Sequence, residues 1–282
     1  LVLSSRLSNR TRLATTTSAA AMFMSTALFA APAFAQTAPP TECLLDADDD
    51  GVSDGTQGAD ATGEGALACG VDASANGVDA TAVGTEASAT GTSTTAVGGE
   101  SVANGTAATA FGWQANATGE RAHAFGHLAS AQGDFTLAVG EAATAVSANS
   151  TAIGNAATAD GVDALAVGES ASATGTSTTA VGGESVADGT AATAFGWQAN
   201  ATGERAHAIG HLASAQGDFT LAIGEAATAA SANSTAIGNA ATADGVDALA
   251  VGDSSSATGP STTAIGGESV ATGPGASAIG WQ

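Results

Sequence analysis

The stretch Val78–Gly91 reads VDATAVGTEASATG, and its pattern recurs every 14 residues along most of the chain. The triplet Ala82-Val83-Gly84 has equivalents from Ala68-Cys69-Gly70 to Ala278-Ile279-Gly280, sixteen in all, with no slip of register. Each period contains two turn signals rich in glycine, which an uninterrupted heptad pattern does not allow. The unit therefore reads as two short strands and two turns, which make one coil of a β-solenoid.

A longer duplication is built from the same units. Residues 91–174 and 175–258 are identical at 78 of 84 positions, and a third, diverged copy begins at Gly259. Low-complexity disorder is the alternative for a chain this rich in glycine, serine and threonine, but disorder does not preserve a 14-residue register. The sequence predicts an all-β solenoid of about sixteen coils over residues 63–282.

Residues separated by multiples of 14 form a column, which takes the number of its member in residues 77–90. Columns 82 and 89 hold alanine in every coil. Side chains alternate along a strand, so positions 80 and 82 share one face, and positions 81 and 83 share the other. We expect the two alanine columns to face each other inside a thin roll, where no larger side chain fits.

Column 83 points outward and is Val, Phe or Ile in every coil except the first, which has Cys69. We call this column the apolar stripe. An exposed stripe of this length has to be covered, so the rolls are expected to associate side by side. Column 90, by contrast, is mostly polar and predicts a solvent face. The predicted interface residues are Val83, Val97, Phe111, Phe125, Val139, Ile153, Val167, Val181, Phe195 and Ile209.

Two glycine columns mark the turns. Column 84 is glycine in all sixteen coils, and column 77 is glycine except at Ser147 and Ser231. A fixed glycine implies positive φ or close backbone approach. Because the two serines occupy the same coil of each duplicate, that coil is expected to have a different turn.

Residues 1–35 resemble a signal peptide: a basic start, an apolar run and Ala33-Phe34-Ala35 before Gln36. The rest of the chain has 27 acidic residues and two arginines, a net charge of 2 − 27 = −25. This charge argues against nucleic acid or an anionic membrane as a partner. The chain begins without Met and shows no anchor segment, so we expect it to be a fragment of a longer exported protein.

The segment STAIGNAATADG, at Ser150 and again at Ser234, resembles the head repeat of trimeric autotransporter adhesins, the YadA-like haemagglutinin-repeat family. The resemblance covers residues 63–282, although Thr often replaces the consensus Val and no stalk or anchor is present. It implies a left-handed parallel β-roll, a homotrimer and a location at the cell surface, anchored in the outer membrane. It also implies a head that mediates attachment to a host or matrix protein or glycan, or autoaggregation.

Other functional classes fit less well. A polysaccharide lyase on a β-helix uses coils of more than 20 residues and clusters Asp with Lys or Arg, so we expect no enzyme. An ice-binding solenoid needs an unbroken Thr ladder, whereas column 90 mixes Asp, Asn, Gln and Thr. An extracellular β-solenoid of another class, ice-binding or a structural surface-layer or biofilm protein, remains the alternative.

The linker 36–62 contains DADDDGVSDG, which matches the first nine positions of a DxDxDG calcium loop and resembles thrombospondin type 3 repeats. Gln57 stands where the twelfth position should offer a bidentate acid. The segment is either a calcium site or a solvated acidic linker. The candidate ligands are Asp46, Asp48, Asp50 and Asp54.

The remaining candidates are single residues. Cys43 and Cys69 are either a disulfide, as is usual in an exported chain, or Cys69 is a buried free thiol. Trp113 and Trp197, with Trp281 in the same column, either contact a sugar or protein ligand or pack across the seam between chains. His123 and His207 are either hydrogen-bonded interface residues or ligands of an ion near a threefold axis.

Overall fold

The computed structural model describes residues 57–282, and the whole of this part is a stack of sixteen coils. The coils contain 32 short strands, and among residues 57–282 there is no helix that could span a membrane. The sixteen-coil parallel solenoid that the 14-residue period predicts is confirmed. The predicted signal peptide, the four candidate calcium ligands and Cys43 lie outside the described residues.

The strands form two parallel sheets, one on each side of the roll. Sheet I contains the two-residue strands Asp60–Ala61 (β1), Ser74–Ala75 (β3), Ser88–Ala89 (β5), Val102–Ala103 (β7), Asn116–Ala117 (β9), Ser130–Ala131 (β11), Thr144–Ala145 (β13), Thr158–Ala159 (β15), Ser172–Ala173 (β17), Val186–Ala187 (β19), Asn200–Ala201 (β21), Ser214–Ala215 (β23), Thr228–Ala229 (β25), Thr242–Ala243 (β27), Ser256–Ala257 (β29) and Val270–Ala271 (β31). Sheet II contains the three-residue strands Leu67–Cys69 (β2), Thr81–Val83 (β4), Thr95–Val97 (β6), Thr109–Phe111 (β8), His123–Phe125 (β10), Leu137–Val139 (β12), Thr151–Ile153 (β14), Leu165–Val167 (β16), Thr179–Val181 (β18), Thr193–Phe195 (β20), His207–Ile209 (β22), Leu221–Ile223 (β24), Thr235–Ile237 (β26), Leu249–Val251 (β28), Thr263–Ile265 (β30) and Ser277–Ile279 (β32).

Each strand pairs with the strand one coil away, in a register of 14 residues. In sheet II, for example, Ala82 lies beside Ala96. The backbone bonds that join coils keep the same step: the Gly98 N–H donates to the Val83 carbonyl at 2.8 Å, and the Glu86 N–H donates to the Val71 carbonyl at 2.8 Å. Columns read from the sequence are therefore physical rows along the roll, about 4.8 Å per coil.

The interior of the roll is almost entirely alanine, as the two invariant columns predict. Ala82 and Ala89 are fully buried, and they face inward from opposite sheets. Columns 80 and 87 also point inward, and in some coils they hold a hydroxyl, as at Thr94 and Ser101. The Thr94 Oγ1 donates to the Gly91 carbonyl at 2.7 Å, which compensates its burial. Within the described residues, threonine is the largest fully buried side chain.

Two turns close each coil, and they lie at opposite edges of the roll. Turn one, columns 84–86, leads from sheet II to sheet I, and turn two, columns 77–79, leads back. Each turn ends in a residue with left-handed backbone, such as Glu86 at φ 56° and Asp79 at φ 55°. This conformation costs a residue with a Cβ roughly 1–2 kcal/mol. The hydrogen bonds between stacked turns offset that cost.

The glycine columns serve two different purposes. Gly84 has φ +132°, and a Cβ there would lie 2.6 Å from the carbonyl carbon of Gly98. Gly77 is not left-handed, but a Cβ on it would lie 1.8 Å from the Gly91 oxygen. Positive φ therefore explains the glycine of column 84, and close approach of the next coil explains the glycine of column 77.

The turn at Ser147 does not differ from the others, so that prediction is wrong. The Ser150 N–H donates to the Ser147 carbonyl at 3.2 Å, as Ala80 does to Gly77 at 3.3 Å. Asn149 keeps the left-handed φ of 58°. The bonds to the neighbouring coils hold the turn in the common conformation although serine replaces glycine.

Candidate interaction surface

The apolar stripe lies on the outer face of sheet II and runs through every coil. Its members stack in register, with Phe111 between Val97 and Phe125. The largest are strongly exposed: Phe111 and Phe195 each at 54%, and Ile209 at 39%. The smaller valines are half-buried against their neighbours. The predicted outward direction of this column is confirmed, and residues 57–282 leave the stripe open to solvent.

Column 81 borders the stripe on the same face. It supplies Leu67, which is 39% exposed, and the two histidines His123 and His207. The imidazole of His123 stacks on the ring of Phe125, with centroids 6.3 Å apart. This contact shows that His123 lies on the same face as the apolar stripe, and both the interface and the ion interpretations remain predictions.

The outer face of sheet I is polar, as column 90 predicts. Its side chains bond to each other across the coils: the Thr90 Oγ1 donates to the Asn104 Oδ1 at 2.5 Å, and the Thr62 Oγ1 donates to the Asn76 Oδ1 at 2.7 Å. The hydroxyls are therefore used within the chain. The two faces of the roll have opposite character, one apolar and one hydrated.

At the turn-one edge, Trp113 belongs to a row of four residues that we call the edge ladder: Gly99, Trp113, His127 and Glu141. The indole stacks on the imidazole of His127, with centroids 4.9 Å and planes 16° apart. On the other side it lies against Gly99, where a Cβ would come within 3.1 Å of the indole Cδ1. The His127 Nδ1 lies 3.5 Å from the Glu141 Oε1.

The duplicate block repeats the edge ladder with Gly183, Trp197, His211 and Glu225. The ring centroids are 5.0 Å apart, and the imidazole Nδ1 again lies 3.5 Å from the carboxylate. Sequence reasoning named the tryptophans but missed the histidines and glutamates, although their 14-residue spacing is visible in the sequence. An imidazole of the same chain covers one face of each indole, and Trp113 and Trp197 remain 45% and 46% exposed to a neighbour.

The turn-two edge carries the fixed positive charge of the described residues. Arg121 and Arg205 are the only arginines or lysines in residues 57–282. The Arg121 guanidinium carbon lies 5.3 Å from the centroid of Phe135, and its Nη1 lies 3.8 Å from the Glu120 Oε1. The arginine side chain is nevertheless 60% exposed. Arg205 repeats this arrangement over Phe219 at 5.4 Å.

The first coil forms the N-terminal end of the described residues and follows the predicted calcium segment in the sequence. Gln57 already belongs to it, because its carbonyl accepts the Asp72 N–H at 3.0 Å. Cys69 heads the apolar stripe beside Val83, and its predicted partner lies outside the described residues. Among residues 57–282 no group of three or more His, Cys, Asp or Glu could hold a metal ion. The calcium site and the disulfide remain predictions.

One cavity, of about 400 Å³, lies at the last coil, between Glu268–Val270 and Ala278–Gln282. It is open, and its lining residues include apolar ones such as Val270 and Ile279 as well as the polar Glu268 and Gln282. We assign it no ligand, because its shape follows from the end of the stack rather than from converging polar groups.

Comparison with known proteins identifies the family of the chain. The sequence model of the YadA head domain repeat, which spans two repeats, matches the chain over residues 61–87, 89–115, 117–140, 131–157, 145–171, 159–185, 187–213, 201–227, 215–241, 229–255, 243–269 and 257–282. Among solved structures, the crystal structure of the collagen-binding domain of the Yersinia adhesin YadA is similar, at 25% identity over 52% of this chain and 67% of that chain, with a TM-score of 0.32. A comparison with curated proteins finds no match. Because the repeat matches extend over nearly all the described coils, the chain belongs to the family of YadA head domain repeats.

Proposed function

We propose that this chain is the passenger head of a cell-surface adhesin, which acts as a homotrimer and mediates attachment or autoaggregation. The observation that carries the proposal is the apolar stripe on a roll whose interior is alanine. An isolated roll would expose a row of Phe, Ile and Val along all of its coils, and a soluble protein rarely tolerates such a row. Three stripes around one axis remove it from water.

The family supports the same assembly and location. The head repeat is named after YadA, and the solved YadA structure is described as that of an adhesin. The polar face of sheet I then forms the outside of the assembly. Any ligand would meet this repeated outer surface, where weak contacts multiply along three chains.

The ice-binding alternative receives less support. An ice-binding face presents free hydroxyls in a flat array, whereas the Thr90 and Thr174 hydroxyls donate to Asn104 and Asp188 of the next coil. The mixed side chains of column 90 also break the flatness of the face. A structural role in a surface layer or biofilm would use the same fold and differs from adhesion only in the partner.

The test of this function is adhesion by cells that display the full chain fused to an outer-membrane anchor. We expect displaying cells to sediment faster than cells with the anchor alone, or to bind surfaces coated with matrix protein. The matched control displays the chain with Phe111→Asp and Phe195→Asp, which places a charge in the apolar stripe of each duplicate. Displaying cells that neither aggregate nor adhere to protein- or glycan-coated surfaces would contradict the adhesin proposal and favour a structural role.

A further inference from the structure

The two edges of the roll carry complementary groups at the same heights. In a stack of about 4.8 Å per coil, height along the axis follows residue number. The Arg121 guanidinium reaches the level of Phe135, and Phe135 precedes Glu141 by six residues, or about 2 Å of height. The Glu141 carboxylate is 62% exposed on the opposite edge, above the stacked Trp113 and His127. Arg205 and Glu225 repeat this match in the second block.

The proposed trimer brings these edges together. In a ring of identical copies, each copy contacts the next through two different surfaces. If the apolar stripes face the axis, the turn-one edge of each roll faces the turn-two edge of its neighbour. Rotation about the axis preserves height, so groups that match within one chain also match between chains.

We propose that these edges form a second, polar seam of the homotrimer, in which Arg121 binds Glu141 of the partner subunit and Arg205 binds Glu225 of the partner subunit. The proposal rests on the trimer of the proposed function and names the contacts that favour its in-register form. The apolar stripe gives little preference by itself, because Val, Phe and Ile recur with little change at each step of about 4.8 Å. A chain displaced by one coil would keep most of its apolar burial and lose its arginine–glutamate pairs with both neighbours.

Charge supports this pairing. The described residues are strongly acidic, so most contacts between edges bring carboxylates together. Within residues 57–282, Arg121 and Arg205 are the only fixed cations available to neutralise them, and both lie on the turn-two edge at the level of an edge ladder. Among residues 57–282, the carboxylates within 4 Å of the two guanidinium groups are those of adjacent residues, Glu120 and Glu204, at 3.8 and 3.9 Å. The Arg121 guanidinium lies over a phenyl ring, yet the side chain is 60% exposed, so N–H groups remain accessible to a partner.

A charge-swap experiment on the full chain tests the seam. Reversing the arginines (Arg121→Glu with Arg205→Glu) is expected to raise at least tenfold the concentration at which half the chains are trimeric, measured by sedimentation equilibrium. Like charges would then face each other at six places in each trimer. Adding Glu141→Arg and Glu225→Arg to the same chain is expected to restore the wild-type midpoint, since each pair reforms with its polarity exchanged.

The matched control exchanges charge with the neighbours in the same chain. Suppose that the arginines act only within their own roll. Adding Glu120→Arg with Glu204→Arg to the reversed arginines would then restore the wild-type midpoint, and adding Glu141→Arg with Glu225→Arg would not. That result, or a trimer whose midpoint does not respond to arginine reversal, overturns the seam and leaves the proposed trimer intact. A wild-type chain that is monomeric overturns the trimer itself, and with it the seam. Circular dichroism of each variant confirms that the roll is folded.

Discussion

The strongest test of assembly is the removal of two phenyl rings, Phe111→Ala and Phe195→Ala, from the apolar stripe. Each ring is 54% exposed in the single chain. A phenylalanine side chain has a surface of about 200 Å², so an interface could bury roughly 110 Å² more per ring. At about 25 cal/mol/Å², burial of that area contributes about 2.7 kcal/mol to the free energy of association. Six rings per trimer give an upper limit of about 16 kcal/mol. The loss should convert the trimer to folded monomer at micromolar concentration, because each 1.4 kcal/mol changes the equilibrium about tenfold.

The matched control makes the same kind of truncation on the other sheet. Val102→Ala with Val186→Ala removes apolar side chains from the outer face of sheet I, where we expect contact with solvent. Sedimentation equilibrium should show an unchanged trimer for this pair and dissociation for the phenylalanine pair. A phenylalanine variant that stays fully trimeric, or equal weakening by both pairs, would refute the assignment of the interface to the apolar stripe.

Four further perturbations test the roll and its ends. Gly126→Ala should destabilise the roll by about 3–5 kcal/mol in urea unfolding, because its Cβ would lie 2.4 Å from the next coil's backbone at φ +139°; a loss below 1 kcal/mol would contradict the close stacking. Ala156→Gly should stabilise by about 0.5–1 kcal/mol by relieving a left-handed alanine, whereas the adjacent buried Ala157→Gly should destabilise. Deleting residues 175–258 should keep the fold and lower adhesion gradually, since whole coils are removed; abrupt loss would indicate one discrete site. If Asp46–Asp54 bind calcium as part of a cap, EDTA with a thiol should increase hydrogen exchange in the first coil while the central coils stay protected, and unchanged protection would rule out the cap.

Much of this fold is readable from the sequence because one period governs it. The spacing of Ala82 and Ala89, half a coil apart, predicts both the alanine interior and the outward direction of Val83. The turns are harder to read, because residues as different as Leu128, Phe135 and Asn149 all adopt the same left-handed backbone. There the hydrogen bonds between coils decide the conformation and override the preferences of individual residues.

Contacts between side chains on the surface are also hard to predict from the sequence. The tryptophan column is evident in the sequence. The stacking of Trp113 on His127 is not, because it depends on how far each side chain extends along the roll. The sequence places the two residues one coil apart and does not give the orientation of their rings. The relation between Arg121 and Glu141 is less visible still, because it requires the two edges to be compared at the same height.

The direction of the bonds between coils has a mechanical consequence. Bonds such as Gly98 N–H to the Val83 carbonyl run along the axis of the roll, so tension applied along that axis loads them directly. One coil occupies about 4.8 Å of the stack, whereas its 14 residues can extend to about 48 Å once released. A roll pulled at both ends would then gain about 43 Å for each coil that opens, one coil after another. Under load, the opening of coils would absorb work over an extension many times the thickness of each coil.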